Sequence, residues 1–358
     1  MINICNSKEN FSIFFETITP LFTGNCSGEH TEIKPSSILG SMRFWFELFY
    51  FLSNPSDIKL HEILDENNYK EVISELKNSI SISNSITDFS LLKLEIAKKL
   101  YQKKLLSIPS VIFGCTGWGG LIKITKIDEI KKIDEIKKTL FESNNNKKID
   151  KKYWFHKKEN FYGSFKVVLE TYSVIAKDLI YPLFKAIEKY GFIGAGANIG
   201  YGRIKVLNSS EINTPFKNIN LNFLSENNSQ DLEINFESFI KKDKISEISN
   251  NIKNFNNSEP KIFYYENICS EKSLEEIIKA AVKKKSESRI KMKKEENNLD
   301  KRHYCFGYST VKSKDFEGPF GTKIIPIVNK NDKGEYSLDF INLYCLKIFN
   351  EKGNKTNE

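Results

Sequence analysis

Five glycines within thirteen residues, Gly191, Gly194, Gly196, Gly200 and Gly202 in GFIGAGANIGYGR, constrain this chain more than any other stretch. A helical pattern over 172–190 precedes them, and a short strand pattern over 203–207 follows. A dinucleotide-binding loop needs the reverse order, strand first and helix after, and no Gly-Lys-Ser or Gly-Lys-Thr completes a phosphate loop. Two readings remain. One is a structural turn that needs positive φ at several positions. The other is bare backbone that a polyanion approaches closely, with Gly200, Tyr201, Gly202, Arg203 and Lys205 placed to stack on a base and pair with phosphate.

The flanking segments supply the rest of a plan. Residues 11–18 are a Phe- and Ile-rich strand pattern that stops at Thr19-Pro20. After Pro35, with Ser36 or Ser37 as the cap, Ile38, Met42, Trp45, Phe46, Phe49 and Leu52 fall on one helical face. Asn54-Pro55 ends that helix, and polar helices follow, so residues from about 53 to 110 read as a helical insertion. A glycine-rich stretch around Trp118 leads into a strand over 121–125. Residues 126–137 repeat KIDEIK twice, and isoleucines three apart drift around a helix, which predicts a solvated amphipathic helix there. Residues 161–170 alternate as a strand. Strand, helix, two strands, helix, glycine turn, strand is the β-α-β-β-α-β order of a ferredoxin-like unit.

Beyond an Asn- and Ser-rich linker at 213–230 the pattern starts again, with a strand near 231–236, a helix to about 256 and a strand at 261–265. A long helix follows from Ser273, which forms a capping box with Glu276, and strands at 324–328 and 336–349 close the unit. The expectation is an α+β fold of tandem ferredoxin-like (RRM-like) domains, 1–212 and 231–358, with a frayed tail after residue 350.

Composition narrows function. The 358 residues carry a formal charge of +8, and lysine supplies 50 of the 54 basic side chains, the arginines being only Arg43, Arg203, Arg289 and Arg302. Much of that basicity is compositional, so where the charge sits matters more than its sum. No apolar run approaches a membrane span, the N-terminus lacks a secretory layout, and the six cysteines are scattered. These features predict a cytoplasmic protein with reduced thiols and no membrane partner. The close pairs Cys26/His30 and His303/Cys305 have no second pair at zinc-site spacing, so neither a metal nor another cofactor is expected.

Arginine is scarce here, which makes Arg43 informative. It either pairs with Glu47 at i,i+4 or offers its planar fork to phosphate, with Lys34 just upstream. Trp118 among glycines, and Trp154 beside His156 and two lysines, are either core tryptophans or stacking platforms for a single strand. The lysine-rich stretch 279–294 is either a solvated helix face or a polyanion-facing surface. Arg302-His303 precedes Phe306-Gly307, and the four histidines show no triad or acid-base spacing, so no catalytic residue is assigned.

Read together, ITPLFTG at 18–24 and PSSILGSMRFWF at 35–46 resemble the opening of the RAMP proteins of type III-B CRISPR effectors, specifically the family of the first-numbered Cmr subunit. The Phe113 to Gly120 segment, the glycine turn and Arg302-His303 with Phe306-Gly307 fall in the order that resemblance requires. The resemblance implies tandem ferredoxin-like folds and assembly with other Cmr-type RAMP subunits and CRISPR RNA. It also implies a non-catalytic role near the guide's 3′ region, helping capture single-stranded target RNA. Its RNA-contact candidates are Lys34, Arg43, Trp118, Trp154, Gly200, Tyr201, Gly202, Arg203, Lys205, Arg302 and His303. The alternative is a metal-independent RAMP endoribonuclease that processes CRISPR precursor RNA with His30 or His303. A scaffold that binds only proteins is the third reading.

Overall fold

Strand β1 (Lys8–Thr17) buries Ile13, Phe15 and Thr17 in alternation, and its other face carries Ser12, Phe14 and Glu16. The structure, a computed structural model, describes residues 8–24, 32–55, 62–83, 89–132, 160–207, 218–224, 232–253, 261–295, 305–307 and 322–345. Helix α1 (Pro35–Ser53) follows. Neither Ser36 nor Ser37 caps it: Pro35 takes the first helical position, where its missing N–H costs nothing, and the Lys34 carbonyl accepts from the N–H groups of Ser37 and Ile38. The expected apolar residues all lie inside, with Trp45, Phe46 and Phe49 fully covered.

The insertion comprises α2 (Glu66–Ser83), α3 (Phe89–Gln102) and the short α4 (Ile108–Phe113). Strand β2 (Lys123–Lys132) comes next, then β3 (Gly163–Tyr172). Helix α5 runs through Ser173–Ile175, a π turn at Ala176–Ile180 and Tyr181–Tyr190, and β4 (Ile204–Val206) ends the unit. The sheet order is β2-β3-β1-β4 with every neighbouring pair antiparallel, so the first unit has the β-α-β-β-α-β plan.

Strand β2 occupies part of the stretch expected to be helical, and the physical reason is visible in its register. A three-residue period puts successive isoleucines on opposite faces of a regular strand. Register shifts between Ile124 and Lys126, and again between Glu129 and Lys131, each insert one residue. The first shift lets Ile124 and Ile127 oppose Leu169 and Val167, so both face the core, while Ile130 in the second shift is exposed. Residues 133–137 of the repeat lie outside the described residues.

The 213–230 stretch, expected as a linker, contributes β5 (Asn218–Asn220), which pairs with β6 (Glu233–Asn235) in a two-stranded ribbon. Ile219, Leu221, Leu224 and Phe236 of this ribbon region join the first core, with the Phe236 ring 5.7 Å from that of Phe49. The second sheet is built from β7 (Ile240–Asp243), β8 (Ile262–Glu271), β9 (Ile324–Lys330) and β10 (Tyr336–Asn342), in the order β7-β8-β10-β9. Helix α6 (Ile248–Lys253) joins β7 to β8, and α7 (Leu274–Glu295) joins β8 towards the β9-β10 pair. Ser273 Oγ accepts from the Glu276 N–H at 3.2 Å and donates to its carboxylate at 2.9 Å, so the cap of α7 is where the sequence places it.

This second unit departs from the tandem plan. Strand β7 precedes β8 and lies parallel to it, because a helical crossover returns the chain in the same direction. It fills the edge that an antiparallel fourth strand takes in the first unit. Both faces of this sheet are buried: Ile262, Tyr264, Ile325, Ile327 and Ile341 join the first unit's core, while Phe263, Tyr265, Ile324, Val328 and Phe340 pack in the cluster that includes α7. Two buried faces explain why IFYY and IIPIV are continuous apolar runs rather than alternating ones. Among the described residues no helix is long and apolar enough to cross a membrane.

Candidate nucleic-acid interface

Helix α1 is the element that positions the motif residues. From one side of it Ser41 Oγ accepts the Gly194 N–H at 3.0 Å, and Trp45 Nε1 donates to the Phe192 carbonyl at 2.9 Å. From the other, Arg43 donates from Nη1 to the Gly114 carbonyl at 2.5 Å and from Nε to Glu47 at 2.7 Å, with Ser110 Oγ 3.4 Å from Nη2. The helix therefore holds two glycine turns, one on each side. Arg43 keeps a 32% exposed side chain, but its donors serve the protein, and the i,i+4 pair with Glu47 is the role it fills.

The glycine turn is an internal joint rather than an open loop. Gly202 (φ +83°) donates to the Pro20 carbonyl at 2.9 Å, Ala195 donates to the Phe22 carbonyl at 2.8 Å, and a Cβ at Gly202 would collide with the Ile193 carbonyl. A Cβ at Gly200 would press on Val328 of β9. Arg203, expected at phosphate, is 1% exposed. Its Nε donates to the Val328 carbonyl at 3.0 Å, Nη1 to the carbonyls of Ile187 (3.1 Å) and Gly191, and Nη2 to the Glu188 carbonyl (2.7 Å) and Asn329 Oδ1 (2.8 Å). Asn329 in turn donates to Asp339, which also accepts from the Tyr264 hydroxyl at 2.7 Å. Burial pushes the guanidinium down to about 10, countered in part by Tyr264, Asp339 and Glu188. This corrects the sequence expectation: a guanidinium whose donors all point inward reads no RNA.

Tyr201 is corrected for the same reason. It is 1% exposed, its hydroxyl has no hydrogen-bond partner among the described residues, and burial raises its pKa, so its ring offers no base a stacking face. Trp118, 6% exposed, donates from Nε1 to the Val111 carbonyl at 2.8 Å and packs against Tyr69 of α2. It ties the insertion to the turn at Gly114–Gly120. Of the remaining candidates, Lys34 pairs with Glu32 at 2.5 Å, and Lys205, half exposed, lies 3.5 Å from Asp332. Trp154, Arg302 and His303, like Cys26, His30 and His156, lie outside the described residues.

Four of the lysines on helix α7 meet protein partners. Lys279 pairs with Glu275, Lys284 with Glu287 at 3.2 Å, and Lys291 donates to the Ser246 carbonyl at 3.3 Å. Lys285 reaches across to the Asn198 carbonyl at 2.9 Å, and burial, with Arg289 adding to it, pushes its ammonium down to about 7. Among the described residues no cluster of three or more His, Cys, Asp and Glu could hold a metal ion.

A different place gathers three lysines around one carboxylate. A recess of about 270 Å³ opens beside the start of α1, lined by Lys8 of β1, Lys93 of α3, Lys123 of β2, Ser36, Gly119 and Gly120. Glu170 pairs with Lys8 at 3.1 Å. Lys93 lies 5.2 Å from the Trp118 ring centroid, and burial together with Lys8 and Lys123 lowers its pKa, Glu170 opposing them. Three lysines from positions 8, 93 and 123 meet only because β1, the insertion and β2 converge, so no window of sequence reveals them.

The profile described as the RAMP superfamily matches residues 14–205, which is more than half of the chain. The chain belongs to the RAMP superfamily. The match covers both glycine turns and α1, so the motif of this RAMP protein coincides with the residues that clamp those turns. Among solved structures it is similar to Cmr1 from Pyrococcus furiosus in its apo form, at 15% identity over 93% of this chain and 87% of that one, with a TM-score of 0.41. It is also similar to a chain of the type III-B Cmr-beta complex bound to cognate target RNA and AMPPnP in the presence of single-stranded DNA, at 14% identity over 97% and 100%, with a TM-score of 0.43. No curated protein matches this RAMP protein.

Proposed function

We propose that this RAMP protein is a non-catalytic RNA-binding subunit of a type III-B CRISPR (Cmr) complex, which lies near the 3′ region of the CRISPR RNA and helps capture single-stranded target RNA. The observation that carries the RNA-binding part is the recess beside α1, where three lysines face one paired carboxylate. Burial and the charges of Lys8 and Lys123 disfavour the Lys93 cation, and a polyanion that enters relieves it. The assignment to a Cmr complex draws support from family membership and from the ITPLFTG and PSSILGSMRFWF segments. The buried arginine joint lies apart from this recess and ties Val328 and Asn329 of β9 to the end of α5.

The test is a salt titration of the purified chain with labelled single-stranded RNA, without added metal, followed by a gel of the RNA. Binding that weakens steeply with salt and leaves the RNA whole is the expected result. Intact RNA with no binding sinks the proposal in favour of a scaffold. Metal-independent cutting at one position makes it a nuclease instead.

A further inference from the structure

We infer that the recess between α1, α3 and β2 is a seat for one phosphate group of single-stranded RNA, with Lys93 and Lys123 as its cationic walls and the Gly119-Gly120 backbone as its floor. The choice of RNA as the phosphate's source rests on the function proposed above; the seat itself rests on geometry. At about 270 Å³ the recess has room for a phosphate with part of its sugar and none for a duplex. Lys8 already holds Glu170, which leaves Lys93 and Lys123 as the surplus charge. Gly119 fits this role. Its φ lies outside the positive region that favours glycine, and a Cβ there would meet only Lys93 Nζ, at 3.9 Å, so nothing in the protein's own packing demands a bare backbone at that position. A ligand that must approach the backbone closely does demand one. Compact ammonium groups on flexible stems suit a phosphate as point charges, in keeping with a chain that places Arg43 and Arg203 on its own carbonyls.

Two variants test the seat. Lys93→Gln with Lys123→Gln removes its charge, and Gly119→Asp places a carboxylate inside it without strain on the backbone; Gly119→Ala adds only a methyl to the floor. Wild-type chain and variants are titrated with a labelled single-stranded RNA at several salt concentrations, and melted with and without inorganic phosphate. Loss of one phosphate contact lowers the slope of log K against log salt by about 0.7 and weakens binding roughly fivefold at 0.1 M salt. That loss in both variants, with a smaller weakening in Gly119→Ala, is the expected result, and Gly119→Ala at wild-type affinity would show that no ligand approaches the backbone there. A phosphate-dependent rise in melting temperature, present in the wild type and absent in Gly119→Asp, supports the seat independently of RNA. If the wild type binds RNA and both variants keep its slope, the seat is wrong while RNA binding stands. If phosphate protects the wild type but RNA does not bind, the seat stands as an anion site and its assignment to RNA falls. If neither ligand acts on the wild type, both ideas fall.

Discussion

The glycine turn at 191–203 and the recess beside α1 both set basic side chains beside glycines, yet they do opposite things with them. In the turn, Arg203 is sealed and every donor of its guanidinium meets an acceptor, three of them main-chain carbonyls of the helix end and its exit, Ile187, Glu188 and Gly191. In the recess, Lys93 and Lys123 line one cavity whose carboxylate, Glu170, is bound to Lys8 and also attracts Lys93. A satisfied charge stabilises a joint, whereas a surplus charge leaves binding energy for something else. Positive charge beside glycine is therefore not a signature of RNA contact until its partners are counted.

The sharpest way to break this contrast is Arg203→Ala. Removing the side chain takes a donor from five acceptors in a buried junction between the units, of which the Ile187 carbonyl keeps the Gly191 N–H, and a loss of roughly 3–5 kcal/mol is expected, read as a large fall in urea midpoint. Arg203→Lys should recover only part of it, since one ammonium cannot span Val328 and Glu188 together. A variant with wild-type stability would return Arg203 to the list of ligand contacts. Next in size is Gly202→Ala. With φ at +83° and a Cβ directed at the Ile193 carbonyl, it should cost roughly 1–3 kcal/mol in the same assay.

How much of this contrast was legible in sequence follows from what each feature depends on. Helix α1 was visible because Ile38, Met42, Trp45, Phe46 and Phe49 repeat at helical spacing, and local spacing is what a sequence displays. The order of elements around the glycine turn was visible for the same reason. The burial of Arg203 was not, since its partners Val328 and Asn329 stand 125 and 126 residues away. Strand β2 misled because the KIDEIK period is neither two nor 3.6, and only two bulges against β3 reconcile it with a sheet. The parallel β7-β8 pair escaped because edge strands of four residues, such as Ile240–Asp243, carry too few positions to show a period. The recess was hidden most completely, being assembled from three separate elements.

A smaller effect sharpens the comparison from within the joint. Lys285, which donates to the Asn198 carbonyl at the edge of the glycine turn, titrates near 7 in the folded chain and near 10.5 when free. Its folded pKa is lowered, so between those values the unfolded chain binds more protons at this site, and stability rises with pH across that window. Below about pH 7 both states carry the charge and the contribution is flat. Urea midpoints at pH 7 and 9.5 should therefore rise more in the wild type than in Lys285→Gln. Equal rises would show that the ammonium stays solvated and takes no part in the joint.

The smallest expected effect on stability is the most informative about the recess. Lys93→Gln deletes a half-buried cation that its neighbours Lys8 and Lys123 already disfavour, so its unfolding free energy should stay within about 0.5 kcal/mol of wild type or rise slightly. Relief of repulsion and loss of the contact with the Trp118 ring act in opposite directions and are of similar size. A loss of about 2 kcal/mol or more, the cost of a core defect, would make Lys93 a structural strut like Arg203 and remove the contrast between the two regions. Retained stability together with a weaker salt dependence of RNA binding would separate them fully, since the charge would then act on the ligand and not on the fold.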